Sequence, residues 1–354
     1  MNKMTETYKP LLCLCASHID SENRIGRLFQ MINSWKEQTI QVPLIISISF
    51  EIPRLELLFD SIYNKIDKLT IIKSKVKFRQ FEHYFKLVAI LEKAEIRDDR
   101  FIMFTDDDDL WSNKRSEIFT LTCNNIHDDK VTSVKVPSMV KSIDKFDIGF
   151  DIELDIGSNI KDYTKPSDID EGIKYGKLKV ENDINERMIE DYIKYAVRFY
   201  VLKNFVISSP VILISRYADM HFVKYIRTYG KDKNTTLVVQ IKNNDEWIYF
   251  YRYDKKTSHV SDVESYSGQY DFENCDQVMN LFSQYPKDEQ KIICKLLTNL
   301  ELMLVTEKDF NQKLFERSLL NSGTTAQTIL QLRKYYPILQ EATKTVYFQL
   351  LINS

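Results

Sequence analysis

The sequence predicts an α/β chain: a mostly parallel sheet with crossover helices, extended by a helical C-terminal region. Three observations predict it. Short apolar runs alternate with amphipathic segments of helix length from residue 11 to residue 105, the order that lays parallel strands side by side with helices across them. From residue 274 onward the apolar spacing is helical and no strand pattern recurs. The composition is that of a chain with a core: of 354 residues, 44% are hydrophobic and 28% charged, enough apolar side chain to offset the entropy of ordering.

Each element follows from its own pattern. Residues 11–16 form an apolar run, read as a buried strand that breaks at Ser17-His18-Ile19-Asp20-Ser21. Residues 25–38 place Ile25, Leu28, Phe29, Ile32 and Trp35 on one helical face. A second strand is expected over 42–50, a helix over 55–66, a third strand over 69–72, a helix over 81–94 and a fourth strand over 101–105. Beyond that the regularity fades. A helix is expected over 114–123, a strand over 130–137, loops and short strands over the acidic stretch 144–179, and a helix over 185–204. A strand over 206–215 and a helix over 220–229 follow. The β-rich segments 236–241 and 247–253 read as a hairpin through Lys242-Asn243-Asn244-Asp245.

Composition excludes several classes. Gly and Pro number 8 each, too few for a collagen-like or low-complexity chain, and the scarcity of Gly argues against a Gly-rich phosphate loop. Lys+Arg 49 against Asp+Glu 51 gives a net charge of −2, without the basic excess of a duplex-binding protein, so no nucleic-acid partner is expected. The 5 cysteines include no CxxC pair, which fits a reducing compartment better than a disulfide framework or a Cys zinc site. The run at 11–16 is too short for a signal-peptide core, and no stretch approaches the roughly 20 apolar residues of a membrane span. A soluble, cytoplasmic protein is expected, with peripheral membrane contact left open.

The sharpest feature is Phe101-Ile102-Met103-Phe104-Thr105-Asp106-Asp107-Asp108-Asp109, four carboxylates directly after an apolar strand. Ligands of open α/β sheets bind at the carboxyl ends of the strands. Four adjacent negative charges need a counter-charge, and hard Mg²⁺ or Mn²⁺ prefers carboxylate and phosphate oxygens. In an extended segment alternate residues point the same way, so Asp106 and Asp108 are expected to face one site and Asp107 and Asp109 to face elsewhere. Asp109 also stands where it would cap the next helix. Lys73, Lys75, Lys77, Arg79, His83 and Lys86 lie shortly before this cluster. Each alone reads equally as a solvated edge, but together they would suit a diphosphate.

The segments Leu11-Leu12-Cys13-Leu14-Cys15-Ala16-Ser17, Ile45-Ile46-Ser47-Ile48-Ser49 and Phe104-Thr105-Asp106-Asp107-Asp108-Asp109 resemble, in this order, the nucleotide-sugar-binding half of GT-A (Rossmann-like) glycosyltransferases, especially the family 2 type with its DxD-type motif. The resemblance implies a GT-A domain over 1–265, with a donor half 1–112 and an acceptor half 113–265, and a helical region 266–354. It implies a nucleoside-diphosphate sugar donor, a UDP-sugar by analogy, with Mn²⁺ or Mg²⁺ on the diphosphate. Asp106 would contact ribose or sugar and, with Asp108, hold the metal; His259 would approach it. Ser17, His18, Ser49, Glu51, Gln80, Lys86, Asp107 and Arg252 would complete the donor site.

An inverting transfer needs a carboxylate to deprotonate the acceptor hydroxyl. The matching position is Asp219, which opens an apolar-periodic helix and equally suits an N-cap; Glu190, Asp191 and Asp262 are the next candidates. The chain departs from the family pattern at three places. Glu51 or Ser49 stands in for the Asp after the second strand, Ala16-Ser17-His18 replaces a Pro-Thr-x-Asn motif, and Ala218 replaces the Glu beside the base. The expected function is metal-dependent sugar transfer to a hydroxyl of a glycan or other acceptor. The alternatives are a non-catalytic or acceptor-binding relative and a metal-dependent nucleotidyltransferase. The C-terminal helices read as a subdomain on the core, with a homo-oligomer interface as the alternative.

Overall fold

The computed structural model describes residues 11–63, 66–142, 166–174, 178–182, 191–208, 210–214, 218–228, 235–239, 241, 246–251, 282–290, 312–321 and 325–353. The strands are β1 (Leu12–Ile19), β2 (Leu44–Phe50), β3 (Leu69–Ser74), β4 (Phe101–Thr105), β5 (Leu110–Trp111), β6 (Ser133–Lys135), β7 (Ser138–Ser142), β8 (Leu178–Asn182), β9 (Tyr195–Arg198), β10 (Thr236–Val238) and β11 (Tyr249–Phe250). Seven of them form one sheet in the order β10-β6-β9-β4-β1-β2-β3, and four form a smaller sheet, β5-β11-β7-β8. In the large sheet only β9 runs antiparallel to its neighbours. The chain is therefore α/β with a mostly parallel central sheet.

The helices include α1 (Glu22–Lys36), α2 (Pro53–Tyr63), α3 (Gln80–Lys93), α4 (Arg115–Asn124), α5 (Pro166–Lys174), α6 (Phe199–Ser208), α7 (Pro210–Leu213), α8 (Ala218–Thr228), α9 (Gln312–Asn321), α10 (Ala326–Leu332) and α11 (Tyr336–Asn353). β1 and β4 are buried along almost their whole length, which is why they read as continuous apolar runs. Ser21 starts α1 by accepting the Arg24 backbone N–H at 3.3 Å. Glu82 closes the start of α3 by accepting Arg79 N–H at 2.7 Å. Ile329, Tyr335, Tyr336, Val346 and Leu350 join the same core as the sheet, and Tyr347 meets Phe85 of α3 edge to face at 5.7 Å. Among the described residues no helix is long and apolar enough to cross a membrane.

Several local expectations are corrected. β1 does not break at Ser17: it runs to Ile19, pairing Ser17 with Ile48 and His18 with Ser49. Where a helix is expected over 185–204, the described part begins with a 3₁₀ turn, Tyr192–Lys194, continues as β9 and only then enters α6. A short strand enclosed between β4 and β6 is buried on both faces, so periodicity cannot separate it from a buried helix. The strand expected over 206–215 is the end of α6 followed by α7, which opens on Pro210. The two β-rich segments near the end form no hairpin, since β10 pairs with β6 and β11 lies in the smaller sheet. Within 144–179, residues 166–174 are helical, and the acidic run 144–155 lies outside the described residues.

Candidate active site

The four carboxylates occupy a tight turn between β4 and β5 instead of an extended segment. The turn still divides them. Asp107 and Asp109 are each 1% exposed, while Asp106 and Asp108 reach the surface in part. Asp107 accepts Ser17 Oγ at 2.6 Å, Arg24 Nε at 3.1 Å and Arg24 Nη2 at 2.6 Å. Arg24 Nη1 also lies 3.6 Å from Asp108 Oδ2. Burial works against the Arg24 charge, but Asp107 and Asp108 outweigh it and hold its pKa above the usual value. The protein thus supplies one counter-charge itself. Asp109 is no helix cap. It accepts the Tyr249 hydroxyl at 2.7 Å, and α4 begins only at Arg115.

Asp106 is held from the opposite side. Its Oδ1 accepts the Gln80 side-chain amide at 2.7 Å and the Tyr192 hydroxyl. Gln80 also donates to Tyr192 at 2.9 Å, and the Tyr84 and Tyr192 hydroxyls lie 3.2 Å apart. Burial first, then the Asp108 charge, pushes the Asp106 carboxyl up to about 8, against the Tyr192 hydrogen bond.

At the ends of β1 and β2, adjacent residues separate by face, as a strand requires. Ser17 turns toward Asp107, whereas His18 turns toward β2. His18 Nδ1 lies 2.8 Å from Ser49 Oγ, and its Nε2 lies 3.2 Å from Glu51 Oε1. Glu51 also takes the Lys77 ammonium. Ser49 continues to His83 Nε2 at 3.4 Å, and Ser47 Oγ lies 2.8 Å from His83 Nδ1. Burial lowers both histidines, His83 to about 3.

The basic segment before the acidic turn is largely engaged by the protein's own groups. Lys73 pairs with Glu56 at 2.9 Å and Asp60 at 2.6 Å, and Arg79 donates to Ile214 O. The Lys86 ammonium donates to Lys73 O at 3.2 Å and stands 5.9 Å from the Phe78 ring centroid.

Asp219 is the second residue of α8, which follows α7 and not a strand. Burial raises its carboxyl to about 7; the backbone N–H groups of Met220 and Asp219 oppose the shift, and Asp191 adds to it. Its charge in turn raises Asp106, so Asp219 stands within electrostatic reach of both Asp106 and Asp191. Arg252 and His259 lie outside the described residues, as do Glu190 and Asp262.

Sequence reasoning missed Arg24, Tyr192, Tyr249 and Arg115. A polar residue in the first turn of the helix that follows β1 is the only signal for Arg24. Tyr249 sits within an aromatic strand whose pattern marks none of its residues.

The chemistry of Asp106 and Asp108 fits a hard divalent cation: two partly exposed carboxylates on one turn, with Asp106 raised by burial and by its neighbour's charge. Among the described residues no group of three or more His, Cys, Asp or Glu side chains is arranged to hold a metal ion alone. Mg²⁺-type ions commonly take one or two carboxylates and complete their shell with substrate phosphates and water.

No protein-family model and no curated protein matches the chain. Among solved structures, S. aureus TarS is 12% identical with a TM-score of 0.42, over 96% of this chain and 55% of that one. This chain therefore spans little more than half the length of that TarS chain. The TarS 1–349 structure in complex with UDP-GlcNAc is 11% identical, TM-score 0.40, over 95% and 90% of the two chains. A 4-diphosphocytidyl-2C-methyl-D-erythritol synthase is 10% identical, TM-score 0.33, over 67% and 91%. At these values the likenesses assign no activity to this chain.

Proposed function

We propose that this chain is a metal-dependent glycosyltransferase that moves a sugar from a nucleoside-diphosphate sugar, a UDP-sugar, to a hydroxyl of a glycan or other acceptor, with inversion. The observation that carries this reading is the division of the acidic turn. Asp107 and Asp109 are answered by Ser17, Arg24 and Tyr249, while Asp106 and Asp108 reach the surface at the carboxyl edge of the sheet. Asp106 and Asp108 would hold Mn²⁺ or Mg²⁺ against the donor diphosphate, and the cation offsets the charge of the departing diphosphate. Gln80 and Tyr192 orient Asp106. His18 and Glu51 form the polar end of β1 and β2 offered to base and ribose, with Ser49 buried behind His18, Ser17 behind Asp107 and Lys86 at the edge. Arg252 and His259 are assigned to the diphosphate and metal by resemblance alone.

Asp219 takes the proton of the acceptor hydroxyl. Its carboxyl, raised to about 7, is basic enough to accept a proton and still ionised in good part at neutral pH. The thiols of Cys13, Cys15 and Cys123 are free, which suits the cytoplasmic location we assign. A homo-oligomer through the C-terminal helices belongs to the same proposal.

The test is a panel of UDP-, GDP- and CDP-sugars with Mn²⁺, read by melting temperature and by released nucleotide. A ligand that binds only the folded state raises apparent stability. One UDP-sugar should stabilise the protein and release UDP. Stabilisation without turnover would indicate a non-catalytic relative, and pyrophosphate release from nucleoside triphosphates added in a parallel assay a nucleotidyltransferase. No response to any donor would overturn the reading.

A further inference from the structure

Four carboxylates in four successive residues repel one another, so the turn that carries them needs closing from outside. Tyr249 reaches it from the smaller sheet. Its hydroxyl oxygen accepts the Asp106 backbone N–H at 3.1 Å, and the same hydroxyl donates to Asp109 Oδ2 at 2.7 Å. The directions are forced. An N–H can only donate, an ionised carboxylate can only accept, and a phenol does one of each. The first and last residues of the turn are thereby fastened to one neutral oxygen.

Tyr249 is itself fixed. It is 2% exposed and pairs with Trp111 across the antiparallel β5–β11 ladder. Its ring lies 4.4 Å from the Arg115 guanidinium, which lies 4.3 Å from the Trp111 ring. Arg115 in turn donates to Phe104 O and, at 3.1 Å, to Ile193 O. Trp111 Nε1 donates to Thr105 Oγ1 at 2.8 Å, so the two strands flanking the turn are tied a second time just outside it.

We propose that Tyr249 is a positioning residue for cation binding: its hydroxyl holds the Asp106–Asp109 turn closed so that Asp106 and Asp108 present their carboxylates together. This rests on reading those two residues as the cation ligands. The turn's geometry then depends on a side chain of the smaller sheet, and cation affinity becomes sensitive to a residue that never touches the ion.

The experiment measures Mn²⁺ binding to the full chain at saturating UDP, from the electron paramagnetic resonance signal of free Mn²⁺, with melting temperature alongside. Tyr249→Phe keeps the ring and its contact with Arg115 but loses both hydrogen bonds, and should weaken Mn²⁺ binding about 3- to 10-fold. A second pair covers the case in which that variant does not fold. Asp109→Asn and Asp109→Ala lose the same charge, but only Asn keeps an oxygen to accept the Tyr249 hydroxyl. Asn should bind Mn²⁺ more tightly than Ala by a similar factor. A folded Tyr249→Phe protein with wild-type Mn²⁺ affinity, or equal affinities for Asn and Ala, would overturn the proposal. Absence of any UDP-dependent Mn²⁺ binding by the wild type would overturn the cation-site reading and the proposal with it.

Discussion

The carboxyl edge of the central sheet has two sides that treat charge differently. On the β1–β2 side the polar groups answer one another within the protein. Ser17 and Arg24 meet Asp107, and a chain runs from Ser47 through His83, Ser49 and His18 to Glu51 and Lys77. On the side of β4 and α8, carboxylates gather instead. Asp106 and Asp219 are both pushed well above the usual carboxylate range by burial and by acidic neighbours. A satisfied polar network fixes geometry. A cluster of raised carboxylates stores a demand for positive charge or a proton, which is why the proposed chemistry is assigned to that side.

The largest expected effect lies on the frustrated side. Asp219→Asn keeps the size of the side chain but cannot take a proton, so transfer should fall about 10²- to 10⁴-fold, the usual worth of a positioned base. With the wild type, kcat/KM should rise with pH through about 7, as Asp219 ionises. Stability supplies an independent readout. A carboxyl raised in the folded state favours folding most at low pH, and that contribution is lost as pH rises through about 7. Asp219→Asn should therefore gain melting temperature over the wild type between pH 4 and pH 8. A helix cap with an ordinary pKa would show neither the loss of rate nor that gain.

The border between the two sides is Arg24. Arg24→Met leaves Asp107 buried without its cation and should cost about 3 kcal/mol, the low end for breaking a buried pair because Arg24 is partly open to solvent. Urea unfolding measures it. A cost near zero would mean that Asp107 carries no charge worth pairing.

How much of this was legible in the sequence follows from the same contrast. β1 to β4 and their helices could be read because buried strands and amphipathic helices leave different periods. The division of the acidic turn could be read from alternation, although the backbone is a turn. Arg24 and Tyr249 could not, because they meet Asp107 and Asp109 across 83 and 140 positions of sequence. Nor could β9, whose apolar residues suit a buried helix equally well. Asp219 was legible as a candidate only through the helix it opens; its company with Asp106 and Asp191 needed the fold.

At neutral pH the smallest effect belongs to the satisfied side. His83 is held neutral, with its pKa near 3 in the folded protein against an ordinary 6.5. The unfolded chain takes up the proton first, so this contribution to stability is full above pH 6.5 and is lost as pH falls toward 3. The loss is at most about 1.4 kcal/mol per pH unit. His83→Gln should flatten the acid limb of the stability curve relative to the wild type, and identical limbs would contradict the buried neutral imidazole.

In the proposed function Asp106 and Asp108 bind a nucleoside diphosphate through a divalent cation. The most direct measurement is the melting temperature of wild type and Asp108→Asn with UDP, in Mn²⁺ and in chelator. UDP should stabilise the wild type only when Mn²⁺ is present, and Asp108→Asn should melt like the wild type without ligand but lose this response. Equal stabilisation by UDP in chelator, or an undiminished response in Asp108→Asn, would contradict it.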